Sequence, residues 1–196
     1  MSPSQVKELL LQALEHGRGV VLVYRTALEC AVNEHLRSEW ETCFDQTENH
    51  LAILTRACIA LGLDPGERTP GCEIVHHLGI GLVVAMKRAM ATGDAQAAEL
   101  VACECVVLAE TRDHTNWDLL CECARTLDDD SGRLLAHACA EVQDEEDQHL
   151  YRARSWNREL WLRSLGLEAR IPPEEGHEVA TPIAAAAARR RARAAR

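Results

Sequence analysis

The segment EVQDEEDQHL (141–150) sets four consecutive acids, residues 144–147, ahead of His149. Glu145 and Glu146 precede that imidazole by four and three residues, and both spacings bring side chains onto one helical face. Gln46 and His50 repeat the four-residue spacing, and ETRDHTNW brings Glu110, Asp113 and His114 together. Carboxylates and imidazoles projecting from facing helices are what a bundle uses to hold a pair of transition-metal ions. The candidate ligand set is therefore Gln46, His50, Glu110, Asp113, His114, Glu145, Glu146 and His149.

Hydrophobic phase places these residues among apolar ones. One stripe runs Leu135, Ala138, Val142, 145, 149, 152, Trp156, so that Glu145 and His149 point inward and Asp144 and Asp147 outward, with Glu146 on either side. A second passes Cys43, then Gln46 or Thr47, then His50 and Leu54. A third passes Cys103, Val107, Glu110, His114 and Trp117, with Asp113 on the same side. A buried carboxylate without a partner costs several kcal/mol, so inward acids require a cation or a set of donors. The plainer alternative is a solvated acidic face, with His50 and His114 as buried histidines bonded to ordinary partners. Glu41, Asp45 and Glu48 read as surface charges.

The elements that would carry these residues are helices. Ala, Leu, Glu and Arg dominate, aromatics make up 4%, and no proline occurs between Gly71 and Ile171. Apolar periodicity predicts a first helix after a cap at Ser4, extending to about Ala31. A second covers about 35–61 and ends at LGLDPG, and a shorter one covers 72–90. ATGDAQ, with Asp94 as a cap, precedes a helix over about 95–127, and LDDDSGR separates it from the last, at about 133–165. The expectation is an all-α chain: an antiparallel four-helix bundle with an additional short helix over 1–166, then a linker and an Arg/Ala-rich tail over 167–196.

Net charge is −10, and five arginines in the last eight positions leave −15 for the remainder. An acidic body disfavours a nucleic-acid surface, except through the arginine tail, and suits cations. No apolar run approaches the ~20 residues needed to cross a bilayer. MSPSQVKELL lacks the basic and apolar regions of a secretory signal, so a cytoplasmic setting with reduced thiols is expected for the nine cysteines. Cys103–Cys105 and Cys121–Cys123 are each two apart and face different directions, which suits small core fillers better than chelation. His76 and His77 have no assigned role.

On these segments the chain resembles the ferritin-like stress proteins of the YciE/YciF type. The resemblance covers about residues 10–160 and rests on HLRSEWETCFDQTENHL, on LGLDP followed by Cys72, on ETRDHTNW and on DEEDQH. Aligned so, a family Glu falls on Gln46, a Gln on His50 and a closing Asp on His149. The acid usual in the first helix is missing, with Glu15 or His16 as substitutes. The resemblance implies a ferritin-like fold and a homodimer binding two ions, iron or manganese with zinc as a further option. It also implies a place in bacterial stress response, and oxidase or peroxidase-like chemistry if the ions are redox-active. The competing class is a metal-free helical interaction or cargo protein that docks through its basic C-terminal tail.

Overall fold

The structure is a computed structural model and describes residues 2–173. Five helices account for nearly all of it: α1 (Pro3–Cys30), α2 (Glu34–Ala60), α3 (Pro70–Met90), α4 (Ala95–Thr126) and α5 (Asp130–Ser164). The start of each follows from local chemistry. Pro3 opens α1, one residue before the cap expected at Ser4. Asn33 accepts from the backbone N–H groups of His35 and Leu36. Thr69, Asp94 and Asp129 accept in the same way at the starts of α3, α4 and α5. The Asp129 cap starts α5 three residues earlier than periodicity alone suggests. The turn before it is so tight that a Cβ on Gly132 would collide with the Leu127 carbonyl.

The cross-contacts set the directions: α4 and α5, α2 and α5, and α1 and α4 run antiparallel, whereas α3 runs parallel to α1, meeting Glu15 through His76 and Gly19 through Gly79. Leu127 through Asp129 turn α4 directly into α5, and His114 on α4 meets Asp147 on α5. Gln46 and His50 on α2 meet His149 and Glu146 on α5 in reverse order. Gln12 and Val32, at opposite ends of the first hairpin, bond Arg112 and Glu99 of α4. α3 packs against α1 and α4. Arg170 donates its backbone N–H to Glu159, and Ile171 rests against the core, so the chain beyond α5 turns back onto the body. The expected linker begins at residue 167, but 167–173 fold back onto the body in this way, and the rest of the expected linker and tail, from 174 to 196, lies outside the described residues.

The interior is divided along its length. One apolar cluster includes Val20, Tyr24, Leu36, Trp40, Met86, Val106, Ala153 and Trp156. The other includes Leu10, Leu14, Ile53, Leu54, Trp117, Leu120, Leu135 and Val142. Between them, each of α1, α2, α4 and α5 contributes buried polar side chains: His16, then Thr47 and His50, then Glu110, Asp113 and Asn116, then Glu146 and His149. The apolar stripes are thus interrupted together at this level, while Thr26, Glu99 and Glu159 are further buried polar residues toward the other end. No helix among the described residues is long and apolar enough to cross a membrane.

Candidate metal centre

His50 stands at the centre of the polar layer. Its Nδ1 lies 2.7 Å from Oε1 of Glu146, and its Nε2 lies 2.7 Å from Oε2 of Glu145. The ring stacks on His149 with centroids 5.5 Å apart, and Trp117 presents its edge at 6.4 Å. His149 Nε2 donates to Oε1 of Gln46 at 2.8 Å. That contact fixes the tautomer and leaves Nδ1 as the bare nitrogen. Nδ1 lies 3.7 Å from Oε2 of Glu110 and has no hydrogen-bond partner.

Three carboxylic acids share this interior. Glu110 is fully buried and Glu146 is 2% exposed. Burial and the neighbouring Asp113 push Glu110 up to about 8. Burial, and then repulsion from Glu146, holds Asp113 well above its usual range. Glu146 is raised in the same direction by burial, with Glu110, Asp147 and Glu145 adding to it. His149 is driven the opposite way, to about 3, by burial first and then by His50 and Arg152. Each shift disfavours charge, so this layer contains acids and a base that are all expensive to ionise unaided.

Oε2 of Glu110, Oε2 of Glu146 and Nδ1 of His149 are buried without a partner, as are Oγ1 of Thr47 and Nδ2 of Asn116. Buried polar atoms in folded proteins are nearly always bonded, and the bare carboxylate oxygens and imidazole nitrogen among these suit a cation, whereas the Asn116 amide nitrogen is a donor. One ligand atom from each of His50, Glu146 and His149 lies within 4.8 Å of the others. Bonds of about 2.0–2.2 Å to a single ion would close that span with small side-chain movements. This buried group could hold a metal ion.

The expected ligands are thus distributed unevenly. His50, Glu110, Asp113, Glu146 and His149 lie in the polar layer, with Gln46 beside it and half-buried. Glu145 is not the inward residue of its pair. Its side chain is 38% exposed, and Glu146 takes the inner place. The core trace runs Val142, Glu146, His149, Ala153, Trp156, whereas the expected one ran through 145 and 152. Both traces obey helical spacing and share their ends, but Ala153 is apolar and Arg152 is not, and that difference identifies the correct phase. His114 sits toward the rim, where its Nε2 contacts Oδ1 of Asp147 at 2.8 Å. Asp144 is exposed, while Asp147 is half-buried by this pairing rather than free in solvent.

Neither substitute expected from the first helix reaches the layer's carboxylates. Glu15 binds Arg68 at 2.7 Å, His76 at 2.8 Å and Arg18 at 3.1 Å, which ties α1 to α3 and the segment before it. Burial acts to raise its pKa, but these three donors outweigh it and hold the acid below its usual range. His16 lies 3.0 Å from the Ala109 carbonyl oxygen through Nε2, and burial keeps it down at about 4. The residue that α1 does supply is Tyr24, whose hydroxyl donates to Oε1 of Glu110 at 2.6 Å. Tyr24 lies on the apolar stripe, and a buried tyrosine hydroxyl needs a partner. That need was the available signal.

The expectation of fully reduced thiols is also corrected. Cys121 on α4 and Cys139 on α5 are joined in a disulfide, with Cα atoms 5.8 Å apart. Neither residue's sequence context points to the other, because the pairing arises from how the two helices dock. The other seven cysteines are free, and all but Cys123 are buried, as core fillers should be. Set against models of protein families, curated proteins and solved structures, the chain matches none of them.

Proposed function

We propose that this chain is a ferritin-like metal-binding protein. In this reading α1, α2, α4 and α5 form an antiparallel four-helix bundle with α3 laid on its outside. The polar layer holds two ions of iron or manganese. The observation that carries the proposal is the convergence of three buried acids with acceptor atoms left bare around two stacked imidazoles. An interior meant only to be stable would place leucine at Glu110 and Glu146, because unpaired buried carboxylates are destabilising.

The residues then have distinct tasks. His50, Glu146 and His149 form the core of the ligand set, and Glu110 and Asp113 supply the further carboxylates that a second ion needs. Gln46 keeps the proton of His149 on Nε2, so that Nδ1 presents its lone pair. Tyr24 fixes the rotamer of Glu110 through Oε1 and leaves Oε2 available. Outer contacts of this kind orient ligands and raise metal affinity. Iron or manganese bound here would supply a one-electron couple for reaction with oxygen or peroxide, a chemistry in keeping with a role in stress response.

The test is metal analysis of the natively purified full-length chain for Fe, Mn and Zn, repeated with Glu146→Gln and His149→Ala. The proposal expects bound metal in the parent and its loss in both variants. A parent without metal after growth and reconstitution in iron or manganese, or a content indifferent to both substitutions, would reject it.

A further inference from the structure

α3 carries two glycines on opposite faces. A Cβ on Gly79 would sit 3.5 Å from the Gly19 Cα of α1, so that side of α3 is already matched to a neighbour. Gly81, two residues on and about 200° around the helix, would meet nothing within 4 Å. A glycine inside a helix costs about 0.5–1 kcal/mol relative to alanine, and at Gly81 no contact among the described residues offsets that cost.

The surface around Gly81 is mostly apolar, with His77 and Arg88 as the polar residues on the same face. Ile74 is 65% exposed, Leu78 is 53% exposed, and Ala85 is exposed as well. On the helical projection all three fall within about 60° of Gly81. α3 already buries Cys72, Val75 and Met86 on its inner side. A helix apolar on both sides is normally covered on both. The ends of α3 differ in sign, with Glu73 in the first turn and Arg88 in the last. Gly81 lies at the midpoint between them.

We infer that the outer face of α3 is the contact between two copies of this chain, packed antiparallel about a two-fold axis at Gly81. In that arrangement Gly81 meets Gly81 and lets the helix axes approach closely. Leu78 of each copy covers Ala85 of the other, and Glu73 of each lies opposite Arg88 of the other. An isologous interface must be self-complementary, and a helix with its charges reversed about its own centre meets that condition. A partner of uniform charge would be repelled at one end. Glu73 also lies 3.5 Å from Arg68 of its own chain, yet its side chain stays 61% exposed and available. The inference is independent of the metal reading.

Sedimentation velocity on the full-length chain across a micromolar concentration series tests it. The parent is expected to be a dimer. Leu78→Glu should weaken association by at least about tenfold, the equivalent of about 1.4 kcal/mol, with helical circular dichroism unchanged because Leu78 faces outward. Glu73→Arg and Arg88→Glu should each weaken the dimer, and the two together should restore it. Gly81→Cys should give a disulfide-linked dimer on mild oxidation. A monomeric parent, a dimer insensitive to Leu78→Glu, or a double reversal no tighter than the single ones would overturn the inference.

Discussion

Tyr24 and Glu110 meet across 2.6 Å, the phenol hydroxyl donating to one carboxylate oxygen while the other is left bare. The tyrosine comes from α1 and the acid from α4, so this bond joins two helices at the level of the polar layer. Tyr24→Phe removes the donor and leaves both oxygens of a fully buried acid unsupported. The metal-free variant should be less stable by about 1–3 kcal/mol, measured by urea denaturation. Core volume barely changes, so a stability equal to the parent's would show that the bond does not hold Glu110.

The metal-free protein should lose stability as pH rises from about 6.5 toward 8. Glu110, raised to about 8, and Asp113 and Glu146, raised with it, keep protons in the folded state that the unfolded chain has released. Their contribution is present below the ordinary carboxylate range and disappears as pH passes through the folded values. His149 and His16, lowered to about 3 and 4, act in the opposite sense. Their contribution is present above the usual imidazole range and is lost as pH falls below it. The histidines therefore oppose the acids only under acidic conditions. Denaturation midpoints at several pH values, with chelator present, should show the decline on the alkaline side, and a rise there would contradict it.

Glu145 and Glu146 both touch His50, but only Glu146 is inside. Glu146→Gln should lower metal affinity by well over ~100-fold, whereas Glu145→Gln should stay within the ~10–100-fold typical of an outer contact. Competition against a chromophoric chelator measures both. Equal losses would mean that the two acids have equal standing at the metal.

The Cys121–Cys139 bridge closes a segment of 18 residues across the α4–α5 turn. Restricting the unfolded chain over such a loop is worth roughly 3 kcal/mol. Replacing both cysteines by alanine should lower the urea midpoint by a corresponding amount. Adding reductant should do the same to the parent and nothing to the variant. A parent indifferent to reductant would rule out the bridge.

Much of the helical framework is legible in the letters, because it depends on local chemistry. Asn33, Thr69, Asp94 and Asp129 are capping residues by type, and the absence of proline between Gly71 and Ile171 leaves α4 and α5 free to run long. The residues of the polar layer are legible as interruptions of apolar stripes. The exact inward acid on α5 is not, since two traces three and four residues apart share their end points. What depends on contact between helices is hidden altogether. Nothing local tells Tyr24 that its partner is Glu110, or directs Cys121 to Cys139. Glu15 resembles a ligand by type and position, yet it is used by Arg68 and His76, which lie far from it in the chain.

The four acids at 144–147 range from exposed at Asp144, through half-buried at Glu145 and Asp147, to deeply buried at Glu146. Steps of about 100° per residue spread them over most of the circumference of α5. If this helix turned by one residue about its axis, another carboxyl group would swing into the place of Glu146. No such reserve exists for His149, which has no imidazole beside it. A neighbouring acid could thus stand in for Glu146, whereas His149 has no substitute within reach, since the other histidine of α5, His137, pairs with Glu141 far from the layer.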